Sequence, residues 1–447
     1  MSEDTVFALS SPVGGAIAIV RITGSGAYAA LGRVFRCKKA PEHRVMNYGH
    51  VIDPESGETI DSAMACFLKA PATYTGEDMA EIYIHGSRVI AKRTLSVLSR
   101  FLRPAEGGEF TKRAFMNGKL DLSQAEAVMD VISSVTEQGA RMAEEQLEGS
   151  IGSGIKDIED RLIDILSGVE AALDYPDELE EDTVSALGSE LAPIIDKLDY
   201  LIRGGNAARI FREGASVAIL GAPNAGKSSL FNALMGTERA IVTSIPGTTR
   251  DTLEETLDIC GAPVCITDTA GIREGADEAE RIGVERAKKA GERADLILIA
   301  IDGTKPIDEE SRALIAAANR GEYKKCILIF TKADKADFMP HENGESCAAL
   351  SPIAVSSVTG EGLDALKERM AALLLTKEAE SALVTNSRHI YALAEAKAAL
   401  ETADAAMGTD LAAADIRTAL YALGQITGRE VTSDVIERIF SRFCVGK

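Results

Sequence analysis

Residues 221–228 are Gly221-Ala222-Pro223-Asn224-Ala225-Gly226-Lys227-Ser228. An apolar run, 217–220, precedes this stretch, and a segment with helical periodicity, 230–235, follows it. A strand, a loop of the form GxxxxGKS and a helix together are typical of a phosphate-binding loop. In such a loop, successive backbone N–H groups surround the phosphate oxygens at the N-terminus of the helix. The stretch therefore predicts an α/β domain that binds a nucleoside triphosphate.

The residue types within this loop suggest individual roles. Gly221 and Gly226 allow the tight backbone, Lys227 reaches the β- and γ-phosphates, and the Ser228 hydroxyl ligates Mg²⁺. The side-chain oxygen of Asn224 could ligate a monovalent cation, although a purely structural role in the loop fits equally well. The nucleotide-binding residues expected from this segment are Asn224, Ala225, Gly226, Lys227, Ser228 and Ser229.

Two later loops indicate that the base is guanine. Thr331-Lys332-Ala333-Asp334 ends the apolar run 326–330, and Ser356-Ser357-Val358 follows a second such run, 352–355. The carboxylate of Asp334 can accept hydrogen bonds from N1–H and the 2-amino group of guanine, a pair that adenine lacks. The second loop lies where its backbone would support guanine O6. GTPases usually carry Asn at the position of Thr331, so the affinity for guanine stays open.

Two segments between these motifs concern hydrolysis. Asp268-Thr269-Ala270-Gly271 follows an apolar run. This is the position expected of a loop that senses Mg²⁺ and the γ-phosphate. Ile272 follows, where Ras-type enzymes place a glutamine that orients the attacking water. Another group must therefore position the water, and spacing does not choose among the acids of 274–293. Residues 243–251, Thr-Ser-Ile-Pro-Gly-Thr-Thr-Arg-Asp, predict a switch loop that supplies hydroxyls for Mg²⁺ and carbonyls for K⁺.

Composition limits the remaining possibilities. The 447 residues carry a net charge of −21, so RNA contact is expected to be local or shared with a more basic partner. No apolar run approaches the ~20 residues of a membrane span, and the acidic start, 1–4, lacks the basic region of a signal peptide. Seven cysteines without CxxC pairs argue against a disulfide framework or a zinc site. A cytoplasmic protein without membrane contact is expected.

The pattern of apolar residues predicts a multidomain protein, α/β plus all-α. Residues 1–118 have mixed strand and helix signals, 119–211 are helical, 212–375 form the nucleotide-binding domain, and 376–447 are helical again. The acidic run 176–182 is expected to be a solvated loop that precedes a helix over 191–203. A domain of alternating strands and helices between two helical stretches suggests an insertion, so the flanking stretches should pack as one bundle.

Motifs along the whole chain resemble one family. The phosphate loop, Pro-Gly-Thr-Thr-Arg-Asp at 246–251 and Asp-Thr-Ala-Gly-Ile-Arg at 268–273 look like the potassium-dependent GTPases in which a hydrophobic residue replaces the catalytic glutamine. Thr-Gly-Glu-Asp at 75–78, Gly-Glu-Phe-Thr-Lys-Arg-Ala-Phe at 108–115, Asn-Gly-Lys-Leu-Asp-Leu at 117–122 and Phe-Cys-Val-Gly-Lys at 443–447 resemble the tRNA-modification GTPases of the MnmE, or TrmE, family.

For the G domain, this resemblance implies specific roles. Glu280 matches the water-orienting glutamate, and Arg250 lies in the loop that would meet the second G domain of a dimer; with Lys227 these are the catalytic candidates. Ser228 and Thr249 match the Mg²⁺ ligands. The K⁺ ligands match Asn224, Thr243, Ile245 and Thr248. The further GTP-binding positions are Ser244, Pro246, Gly247, Asp268, Thr269, Ala270, Gly271, Thr331, Lys332, Ala333, Asp334, Ser356, Ser357 and Val358.

For the rest of the chain, the resemblance implies a folate-binding N-terminal domain through which the protein forms a homodimer. The positions that match contacts to 5-formyltetrahydrofolate, or a related folate, are Arg21, Glu81, Lys119 and Lys447. Cys444 matches a cysteine proposed to take part in the chemistry. An FAD-dependent partner and tRNA with a C5-modified wobble uridine are also implied. Residues 10–15 and 85–87 depart from the family pattern, which leaves the exact folate contacts open.

Two other interpretations stay open. A ribosome-assembly GTPase shares this type of G domain but tends to carry a basic RNA-binding module, which this sequence lacks. A stand-alone folate enzyme with a regulatory G domain would transfer one-carbon units without GTP.

Overall fold

The computed structural model describes residues 4–237, 256–267, 294–339, 352–380, 382–404, 408–441 and 443–446. Seven strands of the N-terminal part form one sheet. They are β1 (Val6–Leu9), β2 (Ile17–Thr23), β3 (Phe35–Cys37), β4 (Asn47–Ile52), β5 (Thr59–Leu68), β6 (Met79–His85) and β7 (Arg103–Pro104). Their order is β3-β4-β5-β6-β2-β1-β7, and every pair of these strands is antiparallel except β1 with β7.

The two faces of this sheet differ. Along β2 every second side chain, at Ala18, Val20 and Ile22, is fully buried, as period-two alternation requires. These side chains share one core with residues of helices α1 (Ala27–Val34) and α2 (Arg88–Leu98). The intervening residues of β2 point to the opposite face, where they are partly exposed. Helix α3 (Glu109–Met116) closes this part of the chain.

A run of helices follows: α4 (Leu122–Ser133), α5 (Glu137–Leu147), α6 (Ser150–Asp174) and α7 (Pro176–Glu213). Helix α4 starts with a capping box, in which the side chain of Asp121 accepts from the backbone of Gln124 and the side chain of Gln124 accepts from the backbone of Asp121. The expected loop over 176–182 is wrong, because α7 begins at Pro176 and continues to Glu213. Proline fits the first position of a helix, and an acidic sequence favours a helix start because it complements the helix dipole.

The G domain begins shortly after α7. Its strands β8 (Ala215–Leu220), β9 (Thr256–Ile259), β10 (Ala262–Thr267), β11 (Leu296–Asp302), β12 (Cys326–Thr331) and β13 (Ile353–Val355) form a sheet of order β13-β12-β11-β8-β10-β9. Among these described strands, β9 alone is antiparallel to its neighbour. Two apolar clusters contain side chains of the sheet. The described helices are α8 (Lys227–Thr237), α9 (Glu309–Asn319) and α10 (Leu363–Leu374).

After the G domain, the chain returns to the first helices. A short helix α11 (Lys377–Glu380) leads to α12 (Ser387–Asp404), α13 (Thr409–Thr427) and α14 (Ser433–Phe440). One apolar core contains residues of α6 and α7 together with residues of α12 and α13. The stretches on either side of the G domain therefore pack as one bundle. None of the helices in the described ranges is apolar over the length that a membrane crossing requires.

Candidate functional site

The phosphate loop, residues 221–228, joins β8 to α8 at the carboxyl end of a central parallel strand. Ligands of open α/β sheets bind at this end of the strands. Gly221 has a φ of 153°, and a Cβ there would lie 2.2 Å from the carbonyl oxygen of Ala300 on β11. Asn224 has a φ of 62°, a left-handed conformation that asparagine tolerates better than most residues. The loop therefore requires glycine at 221 and favours asparagine or glycine at 224.

The ammonium group of Lys227 lies inside this loop. Its Nζ donates to the carbonyl oxygens of Gly221, at 2.6 Å, and Ala222, at 2.8 Å. Ser228 and Ser229 follow in the first turn of α8, and both are exposed. A lysine at the centre of the loop and an exposed hydroxyl at the helix start fit the binding of phosphate and of Mg²⁺, which would neutralise phosphate charge.

Thr331 connects the phosphate loop to the loop predicted to read the base. It ends β12, is 2% exposed, and its Oγ1 donates to the carbonyl oxygen of Ala225 at 2.7 Å. The carbonyl oxygen of Ile301 is a second acceptor at 3.1 Å. Thr331 therefore links the phosphate loop to the loop predicted to read the base. Although GTPases usually have asparagine here, threonine also provides a side chain that forms hydrogen bonds.

The side chain of Asp334 is oriented by the loop 356–358. The Oγ of Ser356 donates to Oδ1 of Asp334 at 2.8 Å, and this hydrogen bond lowers the pKa of the carboxyl group below its usual value. The backbone N–H of Ala333 donates to the carbonyl oxygen of Val355 at 3.2 Å, which holds the two loops side by side. Ser357 and Val358 continue the second loop, and the side chain of Val358 is largely exposed.

Sequence reasoning missed the partner of Lys332. The Nζ of Lys332 donates to Oδ2 of Asp302 at 2.6 Å, and Thr304 donates to the other oxygen from both its backbone N–H and its hydroxyl. Burial opposes ionisation of Asp302, but these hydrogen bonds outweigh it and lower its pKa to about 2. Asp302 ends an apolar strand without belonging to a motif, so no local sequence signal identifies it. The parallel pairing of β11 with β12 is what places Asp302 opposite Thr331.

The N-terminal candidates lie on the open face of the seven-stranded sheet. Arg21 on β2 pairs with Glu81 on β6, and its Nε donates to Oε1 of Glu81 at 2.8 Å. The hydroxyl of Tyr83 donates to the other carboxylate oxygen at 2.5 Å. Burial and this bond raise the pKa of Tyr83 to about 12. The two ionised groups and one phenol form a polar patch that could bind a ring with both donors and acceptors.

Tyr74, which sequence reasoning also missed, is close enough to Arg21 to be affected by its charge. Burial raises the pKa of Tyr74, and this rise is partly offset by the hydroxyl of Thr111, 2.8 Å from its own, and by the charge of Arg21. Two residues later, Gly76 has a φ of 77°, and a Cβ there would lie 3.3 Å from Cγ of Lys119. Lys119 itself is exposed.

The C-terminal tail also reaches this part of the chain. The carbonyl oxygen of Cys444 accepts from the backbone N–H of Gly108 at 3.2 Å, and Cys444 is partly buried. A Cβ at Gly446 would lie 2.6 Å from the carbonyl oxygen of Leu9, at the end of β1. The fourth folate candidate, Lys447, lies outside the described residues.

Comparisons with known proteins agree with this geometry. A family model described as the GTP-binding protein TrmE N-terminus matches residues 5–119, which contain the seven-stranded sheet. A second model, the MnmE helical domain, matches 122–444, a range that includes the bundle and the inserted G domain. The chain belongs to the MnmE family. The resemblance expected from the sequence is thereby confirmed.

Curated members of the MnmE family match over the full chain. The tRNA modification GTPase MnmE of Geobacillus kaustophilus is 42% identical over 99% of both chains. The relatives of the same name from Roseiflexus castenholzii and Natranaerobius thermophilus are 42% and 38% identical, each over 100% of both chains.

Several positions that the family resemblance named lie outside the described residues. These are Thr243, Ser244, Ile245, Pro246, Gly247, Thr248, Thr249, Arg250, Asp268, Thr269, Ala270, Gly271 and Glu280. Among the described residues, no group of three or more histidine, cysteine, aspartate or glutamate side chains forms a metal site.

Proposed function

We propose that the protein is a potassium-dependent GTP hydrolase that acts in the C5 modification of wobble uridines in tRNA. The observation that carries the GTP-binding part of this proposal is the hydrogen bond from Thr331 to Ala225, since it joins the phosphate loop to the loop expected to read guanine. The names of the MnmE relatives support GTP as substrate and tRNA as the molecule modified.

In this proposal, the chain binds the triphosphate with Lys227 and positions water with Glu280. Mg²⁺ and K⁺, when bound, would supply positive charge where the transferring phosphoryl group develops negative charge. The position of Asn224 supports its part as a cation ligand, because its side chain is exposed in the glycine-bounded phosphate loop. The residues that would hold Mg²⁺ are Ser228 and Thr249, and those that would hold K⁺ are Asn224, Thr243, Ile245 and Thr248.

The proposal includes a homodimer formed by the N-terminal domains, with Arg250 facing the second G domain. The open sheet face supports such a contact, because it exposes apolar side chains on several strands. Ile17, Tyr48 and Met64 are 61%, 68% and 45% exposed. Apolar patches of this kind mark interaction surfaces.

The Arg21–Glu81 patch would bind a folate such as 5-formyltetrahydrofolate. Glu81 keeps lone pairs for the donors of a pterin ring although both its oxygens already accept one bond. Lys119, and with it Lys447, would meet the glutamyl carboxylates. Cys444 lies in the tail that packs beside β1, so a role for its thiol would require this tail in place.

Modification itself would require an FAD-dependent partner protein. The net charge of −21 supports a division of labour in which the more basic partner binds most of the tRNA. Hydrolysis of GTP would then control the assembly.

Mass spectrometry of tRNA nucleosides tests this proposal directly. In cells that lack the gene, C5-modified wobble uridine should be absent, and the wild-type gene should restore it. Glu280→Ala should fail to restore it while the protein accumulates normally and binds GTP. Unchanged nucleosides together with abnormal ribosomal subunits would instead indicate a ribosome-assembly GTPase.

A further inference from the structure

The connection through which the chain enters the G domain from the helical bundle is a single residue. Helix α7 ends at Glu213, strand β8 starts at Ala215, and only Gly214, with a φ of 76°, lies between them. A single glycine leaves the direction of the strand free, because glycine adopts both signs of φ readily. The contacts on either side of Gly214 must therefore fix the orientation of the G domain.

One polar contact beside Gly214 is an ion pair with helix α4. The Nε of Arg212 donates to Oδ1 of Asp130 at 2.8 Å, and these side chains are 26% and 13% exposed. The chain that returns from the G domain is attached at the same place, where the hydroxyl of Ser387 donates to Glu213 at 2.5 Å. The entry to the G domain and the start of α12 are therefore joined beside this ion pair.

Only one of the two carboxylate oxygens of Asp130 accepts a hydrogen bond in this pair. Its Oδ2 is buried and has no hydrogen-bond partner among the described residues. Beside it lies a cavity of about 100 Å³, bounded by Ser134 of the bundle, by Gly214 and by Pro263 of the G domain. Such a volume holds about three water molecules. The pair therefore lies against a space that a rotation of the G domain could fill or enlarge.

The same face of α4 is anchored firmly one turn earlier. Glu126 lies four residues before Asp130, which places both on one side of the helix. It accepts from Arg388, at 2.6 and 3.0 Å, and lies 2.9 Å from Nε2 of His389, both at the start of α12. Arg388 also donates to the last carbonyls of α13, at Gln425 and Ile426. A displacement of Asp130 would thus be transmitted to three helices of the bundle.

We propose that Asp130 and Arg212 are positioning residues that set the orientation of the G domain on the bundle and couple its nucleotide state to the rest of the protein. The inference rests on the proposed function, since it takes the G domain to be a GTPase. Breaking the pair should leave the hydrolytic residues intact and remove the coupling.

The test compares the double variant Asp130→Asn/Arg212→Gln with the wild type. Changing both partners avoids leaving one buried charge unpaired, so the variant should fold. Arg203→Gln is the matched control, because Arg203 forms an exposed pair with Asp199 on the same helix. Thermal unfolding shows that each protein is folded.

The first readout is a distance within one chain. Spin labels are attached at two exposed positions, Arg161 on α6 and Arg320 after α9. The distance between them reports the position of the G domain relative to the bundle. The labelled full-length protein is diluted with unlabelled copies so that only distances within one chain are measured. We expect the distance in wild type and control to differ between GDP and a non-hydrolysable GTP analogue. In the double variant the distribution should broaden and this difference should disappear.

The second readout separates coupling from catalysis. The double variant should hydrolyse GTP near the wild-type rate, whereas modified tRNA in cells should fall about tenfold, as expected for loss of a typical coupling between sites. An unchanged distance response with normal modification would overturn the inference, as would equal loss of hydrolysis and modification by the folded variant. Failure of the wild type to hydrolyse GTP would contradict the proposed function, while the distances would still decide the role of the pair.

Discussion

The hydroxyl of Thr331 donates to the carbonyl oxygen of Ala225 across 2.7 Å, although the two residues are 106 positions apart in the chain. The bond joins the phosphate loop to the loop predicted to read the base. A nucleotide that occupies both loops would therefore bind to a preorganised pair, which reduces the entropy lost on binding.

Replacing Thr331 with valine should weaken binding of GDP and GTP. The substitution keeps the shape of the side chain but leaves the buried carbonyl of Ala225 without this donor, at a cost of about 1–3 kcal/mol. Because the nucleotide would then have to order the two loops on binding, we expect a loss of affinity of up to this size in calorimetric titrations. Thr331→Ser, which keeps the hydroxyl, is the control and should bind nearly as the wild type does. Equal affinities for all three proteins would contradict this role of Thr331.

Replacing Asp334 with asparagine should change which base is preferred. The carboxylate, held by Ser356, accepts from two donors of guanine, whereas an amide offers one acceptor and one donor. We expect the affinity for GTP to fall by about 10- to 100-fold and the affinity for xanthosine triphosphate to rise. Competition binding with GTP and xanthosine triphosphate measures the two affinities. Unchanged selectivity would show that another group reads the base.

Replacing Asn224 with glycine should remove the dependence of hydrolysis on potassium. Glycine is chosen because φ at this position is 62°, where alanine would be strained. In the wild type, exchanging Na⁺ for K⁺ should raise the rate of GTP hydrolysis at least about tenfold, since a fixed charge stabilises the transition state. The glycine variant should hydrolyse GTP slowly in both salts while it keeps its affinity for GDP. A wild-type rate that is equal in both salts would refute the K⁺ site.

Replacing Glu81 with glutamine should weaken binding of 5-formyltetrahydrofolate. The variant keeps the size of the side chain but loses the charge that pairs with Arg21 and accepts from Tyr83. We expect the affinity to fall about tenfold or more in isothermal titration. Arg93→Gln, which removes an exposed pair with Glu58 in the same domain, is the control. Normal binding by the Glu81 variant would exclude this patch as the folate site.

Sequence patterns predict local features of this chain better than contacts between distant segments. The phosphate loop has a fixed spacing because its geometry requires it, and the structure has a strand before it and a helix after it. The acidic run 176–182 has no apolar periodicity, and its proline and acidic residues suit a solvated loop as well as the first turn of a helix such as α7. Likewise, the pairing of Glu126 with His389, which are 263 residues apart, arises only when α4 packs on α12.

The acid sensitivity of folding should depend on His389. Its ring is 1% exposed, and burial lowers its pKa below 6.5; the charges of Arg388 and Arg212 add to this, while Glu126 opposes it. Below about pH 6.5 the unfolded chain binds a proton that the folded protein does not, so the free energy of unfolding should fall as the pH falls, by at most ~1.4 kcal/mol per pH unit from this group. Urea denaturation between about pH 7.5 and 5 should show a smaller slope for His389→Gln than for the wild type. The exposed His50→Gln is the control, and an undiminished slope in the His389 variant would assign the acid sensitivity to other groups.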